Sequence, residues 1–331
     1  MTITQQIILK SRPEGRPTED NFELIECPLK APQDGEVLCK NLFLSLDPYM
    51  RSQIAGRHIS GAIPEGGILL GETVAEVIES NNASYTVGDR ILIQGGWQTY
   101  TVLKPESARP IDPRIAPASL ALGVLGMPGL TAYAGIQYLA EAKKGDTLVV
   151  SAASGAVGSM VGQFAKTKGC HVIGIAGSKE KCDWLVKEAG FDACINYKEN
   201  SVADEIDRLC SKGVDIYFDN VGGPILDDIM WRLAVGARVV LCGLMAQINS
   251  EDRPAGPNPA TIIKARATVR GLVVYDFWDK MPEMVDCFAP LIAANKLKFI
   301  EDISVGIDQA PVAFARLMRG ENYGKTIIKL G

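Results

Sequence analysis

The sequence predicts an α/β protein in which a β-rich first part is followed by a doubly wound parallel sheet. Three observations carry that expectation. Residues 1 to about 118 hold short candidate strands divided by turn signals. From Asp146 onward, short apolar runs alternate with helical stretches. Between the first two of those runs, a glycine turn leads into a helix of period 3.6.

The first part comes from candidate strands at Glu36–Ser45, Ile68–Ser80 and Arg90–Ile93, with turns at Gly66-Gly67, Asn81-Asn82 and Gly88-Asp89. Next, Ile115–Ala140 is uncharged and long enough to span a membrane. Gly123, Gly126, Pro128, Gly129 and Gly135 interrupt it, so a break at Met127-Pro128-Gly129 and two buried helical pieces are expected. Asp146–Ser151 and His171–Ala176 read as strands buried on both faces. The helix between them carries Val157, Met160, Val161, Phe164, Ala165 and Lys168 on one stripe and ends at Gly169. Further strands are expected at Asp215–Asp219, Arg238–Cys242 and Thr268–Tyr275. Arg253–Pro259 reads as an ordered Pro-rich loop, and Lys325–Leu330 as an edge strand.

Composition bounds the function. At roughly 100–200 residues per domain, 331 residues imply two domains. A net charge of −5 argues against nucleic acid or an anionic membrane as the main partner, since binding phosphates needs a basic surface. The eight cysteines are scattered, and the N-terminus has no apolar run of signal-peptide length, so free thiols in a reducing cytoplasm are expected.

After the strand Asp146–Ser151 comes Ala152-Ala153-Ser154-Gly155-Ala156-Val157-Gly158 and then the helix. Gly155 permits a tight turn and close approach of a phosphate, and Gly158 permits close helix–sheet packing. The N–H groups at the helix start then face a pyrophosphate. The alternative is an ordinary strand–helix turn with glycines. The second strand ends in Ala176-Gly177-Ser178-Lys179-Glu180-Lys181. Its end is neutral and two lysines follow, which suits a 2′-phosphate better than the acid that holds a free ribose hydroxyl. Glu180 is placed inside the next helix turn, with Ser178 as its N-cap. The alternative is that both lysines are simply solvated.

Metal and triad chemistry lack residues. A catalytic zinc needs three protein ligands, but the chain has only His58 and His171 and no Cys-x-x-Cys. His171 reads as structural and His58 as a surface loop residue. A Ser–His–Asp or Cys–His mechanism is equally ill supplied. Gly324-Lys325-Thr326 fails as a P-loop ending, because Arg319 stands where the first glycine belongs.

Five stretches resemble one family: Leu44–Arg51 (LSLDPYMR), Gly123–Tyr133 (GVLGMPGLTAY), Ala153–Gly169 (ASGAVGSMVGQFAKTKG), Phe218–Gly223 (FDNVGG) and Gly320–Ile327 (GENYGKTI). They are similar to the zinc-independent medium-chain dehydrogenases/reductases of the prostaglandin reductase/leukotriene B4 12-hydroxydehydrogenase group, and most to its bacterial NADPH-dependent curcumin reductases. The resemblance implies a GroES-like substrate domain over residues 1–118 and 297–331, a Rossmann NADPH-binding domain over 119–296, an active site in the cleft, and a homodimer formed through the nucleotide domains. It implies NADPH contacts at Gly155, Ala156, Val157 and Gly158, with Lys181 and Tyr197 at the 2′-phosphate. Asn220, Cys242, Gly243, Leu272, Val273, Val274 and Asn322 line the rest. Asn220 and Cys242 also stand at or just beyond candidate strand ends, where such folds bind ligands.

The implied activity is reduction of the C=C bond of α,β-unsaturated ketones or aldehydes. Hydride goes to the β-carbon, and Tyr49 with the cofactor's ribose hydroxyl supports the enolate oxygen. The alternative for Tyr49 is a packing tyrosine with a satisfied hydroxyl. The chain departs from its relatives at Ile248 and Lys264, where others carry tyrosine, which bears on substrate choice. Two rival readings stand beside this one: an NADPH quinone reductase on the same scaffold, and a nucleotide-binding structural or regulatory protein without turnover.

Overall fold

Alternation of apolar and polar residues, the mark of strands with one buried face, builds the first part of the chain. The structure is a computed structural model that describes residues 3–250 and 255–331. Arg253 and Pro254 of the expected Pro-rich loop lie outside the described residues. β1 (Ile3–Leu9) and β2 (Phe22–Pro28) form an antiparallel pair that was not expected from sequence. β3 (Val37–Ser45) continues into a short turn and α1 (Met50–Ile54). β4 (Thr73–Ser80), β5 (Arg90–Ile93), β6 (Tyr100–Leu103) and β7 (Arg109–Pro110) follow. Val37, Cys39, Ala75, Val77, Ile91 and Ile93 recur at every second position and bury one common face. The strand expected from Ile68 begins only at Thr73; Ile68 itself makes one isolated bridge, to Ile8.

The uncharged stretch Ile115–Ala140 becomes a 3₁₀ turn over Ala118–Leu122, α2 (Met127–Ala134) and a π-helical turn over Gly135–Leu139. The break falls before Met127 rather than on it, because Pro128 serves in the first turn of α2, where its missing N–H costs nothing. Among the described residues, no helix is long and apolar enough to cross a membrane.

Strand and helix then alternate: β8 (Thr147–Val150), α3 (Ala156–Thr167), β9 (His171–Ala176), α4 (Lys179–Lys187), β10 (Ala193–Asn196), α5 (Val202–Leu209), β11 (Val214–Asp219), α6 (Gly223–Met230), β12 (Leu233–Leu241), α7 (Ala260–Ala265), β13 (Thr268–Gly271) and α8 (Met281–Ala293). The six strands are all parallel, in the order β10-β9-β8-β11-β12-β13, as in a doubly wound dinucleotide-binding sheet. α3 is buried without a break from Gly158 to Ala165, a wider face than the single stripe expected. Gly162 makes this possible: a Cβ there would lie 2.0 Å from Phe191. The strand expected over Thr268–Tyr275 stops at Gly271, and Val274–Lys280 form a 3₁₀ turn.

β14 (Glu301–Val305), α9 (Ala310–Met318) and β15 (Lys325–Lys329) complete the chain. β15 is not the edge strand expected of it. It lies between β14 and β3, in the order β14-β15-β3-β4-β5-β7. Two compact units result: residues up to Gly123 together with Glu301–Gly331, and Val124–Ile300.

Candidate active site

In the second unit, the candidate phosphate turn joins β8 to α3. Ala152 takes a left-handed backbone conformation, φ 48°, which is uncommon for a residue with a Cβ and tends to collect at functional turns. Gly155 is the N-cap of α3 and brings no side chain to bond its first N–H groups, which an α-helix leaves without internal partners. A Cβ on Gly158 would stand 2.4 Å from the Ala152 carbonyl oxygen and 2.8 Å from Ala153 Cα. Both obstacles are backbone, so only glycine lets the helix start close onto the turn. The Gly155 N–H donates to the Ala152 carbonyl at 3.0 Å and closes the turn, so Ala156, Val157 and Gly158 present the N–H groups of the cradle at the positive end of a twelve-residue helix, which suits a pyrophosphate.

Beside the cradle, the ends of β8 and β11 are tied by the buried Asp219. Its Oδ1 accepts from Ser151 Oγ at 2.8 Å, Tyr217 Oη at 2.8 Å and Val221 N at 3.0 Å; Gly222 N reaches Oδ2 at 3.0 Å. Asn220 donates twice to Ser151: N to Oγ and Nδ2 to the carbonyl oxygen, both 2.8 Å. The Asp219 carbonyl oxygen accepts from Cys242 N at 2.8 Å and Gly243 N at 3.1 Å. A Cβ on Gly243 would lie 2.8 Å from the Asn220 carbonyl oxygen. Asn220, Cys242 and Gly243 therefore converge at the carboxyl ends of β11 and β12. Burial, then the Asp219 charge, pushes the Cys242 thiol up to about 12, so it stays protonated and serves as a wall rather than a nucleophile. Sequence reading missed Ser151 and Asp219. Their signal is a small hydroxyl and an acid at the ends of adjacent buried strands.

At the end of β9, Ser178 caps α4 by accepting from Lys181 N at 3.3 Å, and Glu180 is exposed in the first turn. Lys179 pairs with Asp183 at 2.8 Å. The Tyr197 ring lies over Gly177, whose Cβ would be 3.1 Å from it. Lys181 and Tyr197 so flank one neutral strand end. Leu272 is buried, and its N–H donates to the Leu241 carbonyl at 2.9 Å; Val273 is exposed, and Val274 opens the 3₁₀ turn. Lys264 is turned to Trp231, 3.3 Å from its carbonyl oxygen and over its ring.

In the first unit, Tyr49 is half-buried in the turn between β3 and α1. Asp47 and Lys325, both buried, form an ion pair of 2.6 Å, and Lys325 Nζ also donates to the Leu46 carbonyl at 2.8 Å. Ser45 Oγ bonds the other Asp47 oxygen. Behind them Glu72 pairs with Arg109; burial raises its carboxyl and Arg109 opposes the rise. Two of the motifs from opposite ends of the chain thus hold the Tyr49 turn from below. Sequence reading missed this pair. His58, expected as a surface residue, packs its ring 5.1 Å from that of Tyr49 and bonds Ser60 through Nδ1 at 2.6 Å; burial lowers its pKa. Asn322, also in this unit, donates to the Gly324 carbonyl at 2.9 Å.

Comparison with known proteins follows the two halves of the chain. A family model described as N-terminal domain of oxidoreductase matches residues 5–111, and one described as zinc-binding dehydrogenase matches residues 156–290. The NADPH-dependent curcumin reductase of Escherichia coli (strain K12) is 38% identical over 98% of this chain and 96% of its own. The 2-alkenal reductase (NADP(+)-dependent) of Nicotiana tabacum is 40% identical over 98% and 96%. The crystal structure of CurA in complex with NADPH from Vibrio vulnificus superposes with a TM-score of 0.94, at 40% identity and 99% coverage of each chain. The name of the second family model implies zinc, and the residues do not fit one. Among the described residues, no three His, Cys, Asp or Glu side chains are grouped to hold a metal ion.

Proposed function

The chain belongs to the medium-chain dehydrogenase/reductase family, in the group of the curcumin and prostaglandin reductases, and from that membership we propose an NADPH-dependent reductase of carbon–carbon double bonds conjugated to a carbonyl. The observation that carries it is the Gly155–Gly158 cradle, where a Cβ on Gly158 would meet backbone at 2.4 Å, in a chain alike end to end with NADPH-dependent reductases.

NADPH, when bound, supplies the hydride. Ala156, Val157 and Gly158 hold the pyrophosphate by N–H groups and the helix dipole, and Gly155, its own N–H spent on the Ala152 carbonyl, lets the phosphate approach the backbone. Lys181 and Tyr197 recognise the 2′-phosphate, and Lys181 makes the charge-assisted bond. Asn220, Cys242, Gly243, Leu272, Val273, Val274 and Asn322 complete the cofactor contacts. Tyr49 donates its hydroxyl proton in a hydrogen bond to the substrate's carbonyl oxygen, where negative charge grows as the double bond is reduced. The α-carbon takes its proton from water, so no histidine is required. The Asp47–Lys325 pair holds the turn that presents Tyr49, and the His58 ring limits where its ring can go.

The test is NADPH consumption by the purified protein with a panel of enals, enones and quinones, followed by product analysis. A saturated ketone or aldehyde is expected from an enone or enal. An allylic alcohol, or turnover of quinones alone, overturns the proposal.

The same reading makes the protein a cytoplasmic homodimer. It is supported by free cysteines and by β13, which pairs only with β12 among the described residues and presents mostly exposed residues at the sheet edge. Light scattering during gel filtration checks this; a monomer at micromolar concentration overturns it.

A further inference from the structure

Two thiols meet beside the proposed 2′-phosphate contacts. Cys182 lies in the first turns of α4 and Cys194 in β10; both are half-buried. Their sulfurs are 2.7 Å apart, with the Cys194 S–H donating to Cys182. A disulfide bond is about 2.05 Å long, so a small approach of the two side chains closes it.

We propose that Cys182 and Cys194 are a redox modification site that closes to a reversible disulfide by exchange with a low-molecular-weight disulfide such as oxidised glutathione.

The chemistry of the two thiols differs in the required sense. The hydrogen bond from Cys194 lowers the Cys182 pKa, while the same bond and burial raise that of Cys194. The start of α4 adds a positive dipole end near Cys182. By contrast, burial pushes Cys39 up to about 12 and Cys170 and Cys210 up to about 11, leaving those thiols protonated. Cys182 is thus the attacking thiolate. It attacks one sulfur of glutathione disulfide, forms a mixed disulfide and expels a glutathione thiolate, which takes up a proton. Cys194 then loses its proton, and its sulfur attacks Cys182 and expels the second glutathione. Two protein thiols are oxidised, one glutathione disulfide is reduced to two thiols, and no other oxidant is needed.

The bond would tie the first turns of α4, which carry Lys181, to β10, which Tyr197 directly follows. This consequence rests on the reading of Lys181 and Tyr197 as 2′-phosphate contacts. NADPH affinity is then expected to fall by about fivefold or more, the low end of a coupling between sites, with NADH affinity little changed.

The full chain is incubated with oxidised glutathione, its remaining thiols are alkylated, and its peptides are mapped by mass without reduction. A peptide joining Cys182 to Cys194, lost on treatment with dithiothreitol, is expected. Cys194→Ser should stop at a glutathione adduct on Cys182, and Cys182→Ser should give neither product. Wild-type protein in which both residues remain alkylated overturns the site. NADPH and NADH titrations of the oxidised protein separate the two layers. A disulfide that forms without changing NADPH affinity leaves the modification site standing and overturns its link to the cofactor.

Discussion

Tyr49 carries the reaction in the proposed mechanism, and its hydroxyl is the part to remove. A hydrogen bond that strengthens as the oxygen gains charge acts in the transition state, so its loss appears in kcat. Tyr49→Phe is expected to lower kcat roughly 10- to 100-fold, about 1.4–2.7 kcal/mol, with NADPH affinity unchanged. Wild-type kcat with only a raised KM would make Tyr49 a residue that shapes the substrate site. Lys181 is tested through the cofactor. A lost charge-assisted hydrogen bond is worth about 1.5–3 kcal/mol, so Lys181→Ala should weaken NADPH about 10- to 150-fold and barely affect NADH. Equal losses for both, by fluorescence titration, would show that Lys181 does not read the phosphate. Both residues could be proposed from sequence because each sits in a local pattern: Tyr49 in LSLDPYMR, Lys181 after a neutral strand end. Asp47 with Lys325 was not, since the two partners are 278 residues apart. The His58 ring on Tyr49 was not either, since nothing in its loop marks the packing.

Among the elements, the α3 start depends on one atom that is absent. In Gly158→Ala the new Cβ meets backbone at 2.4 Å, which no rotamer relieves. Overpacking of this kind costs about 1–3 kcal/mol of stability. Displaced N–H groups should also weaken NADPH about 10- to 150-fold, the worth of one bond to a charged group. Unchanged affinity by titration would move the pyrophosphate away from this turn. In β15, Lys325→Met leaves Asp47 charged and buried, and breaking such a pair costs about 3–5 kcal/mol. Denaturant unfolding reads that loss. Adding Asp47→Asn should recover part of it, and no recovery would mean that the pair is not the source. β5 and β9 were legible within a residue or two as short apolar runs, and α3 by its 3.6-residue period, because their apolar residues are contiguous or regularly spaced in the sequence. Sequence reading did not reveal β10, whose Ala-Cys-Ile-Asn lacks the run of large apolar residues that marks β5 and β9, nor that β15 lies inside its sheet. A strand's neighbours are chosen by pairing across the chain, and its own residues do not record them.

For the whole molecule, metal removal is the decisive trial. The two histidines lie in different compact units, His58 bonded to Ser60 and His171 facing Asp192 at 3.3 Å. Activity with an enone should therefore survive EDTA. Complete loss, restored by zinc, would overturn a metal-free mechanism. The sequence by itself determined the α/β class, the strand–turn–helix around Gly155–Gly158 and the family, because these reside in local composition, short-range periodicity and motifs that need few residues to be recognised. Tertiary structure alone decided that the C-terminal strand enters the first sheet between β14 and β3, that Lys325 meets Asp47, and that Cys182 touches Cys194. Such contacts join residues distant along the chain. They exist only where packing and hydrogen-bond register bring separate elements together, and no local pattern encodes which elements those are.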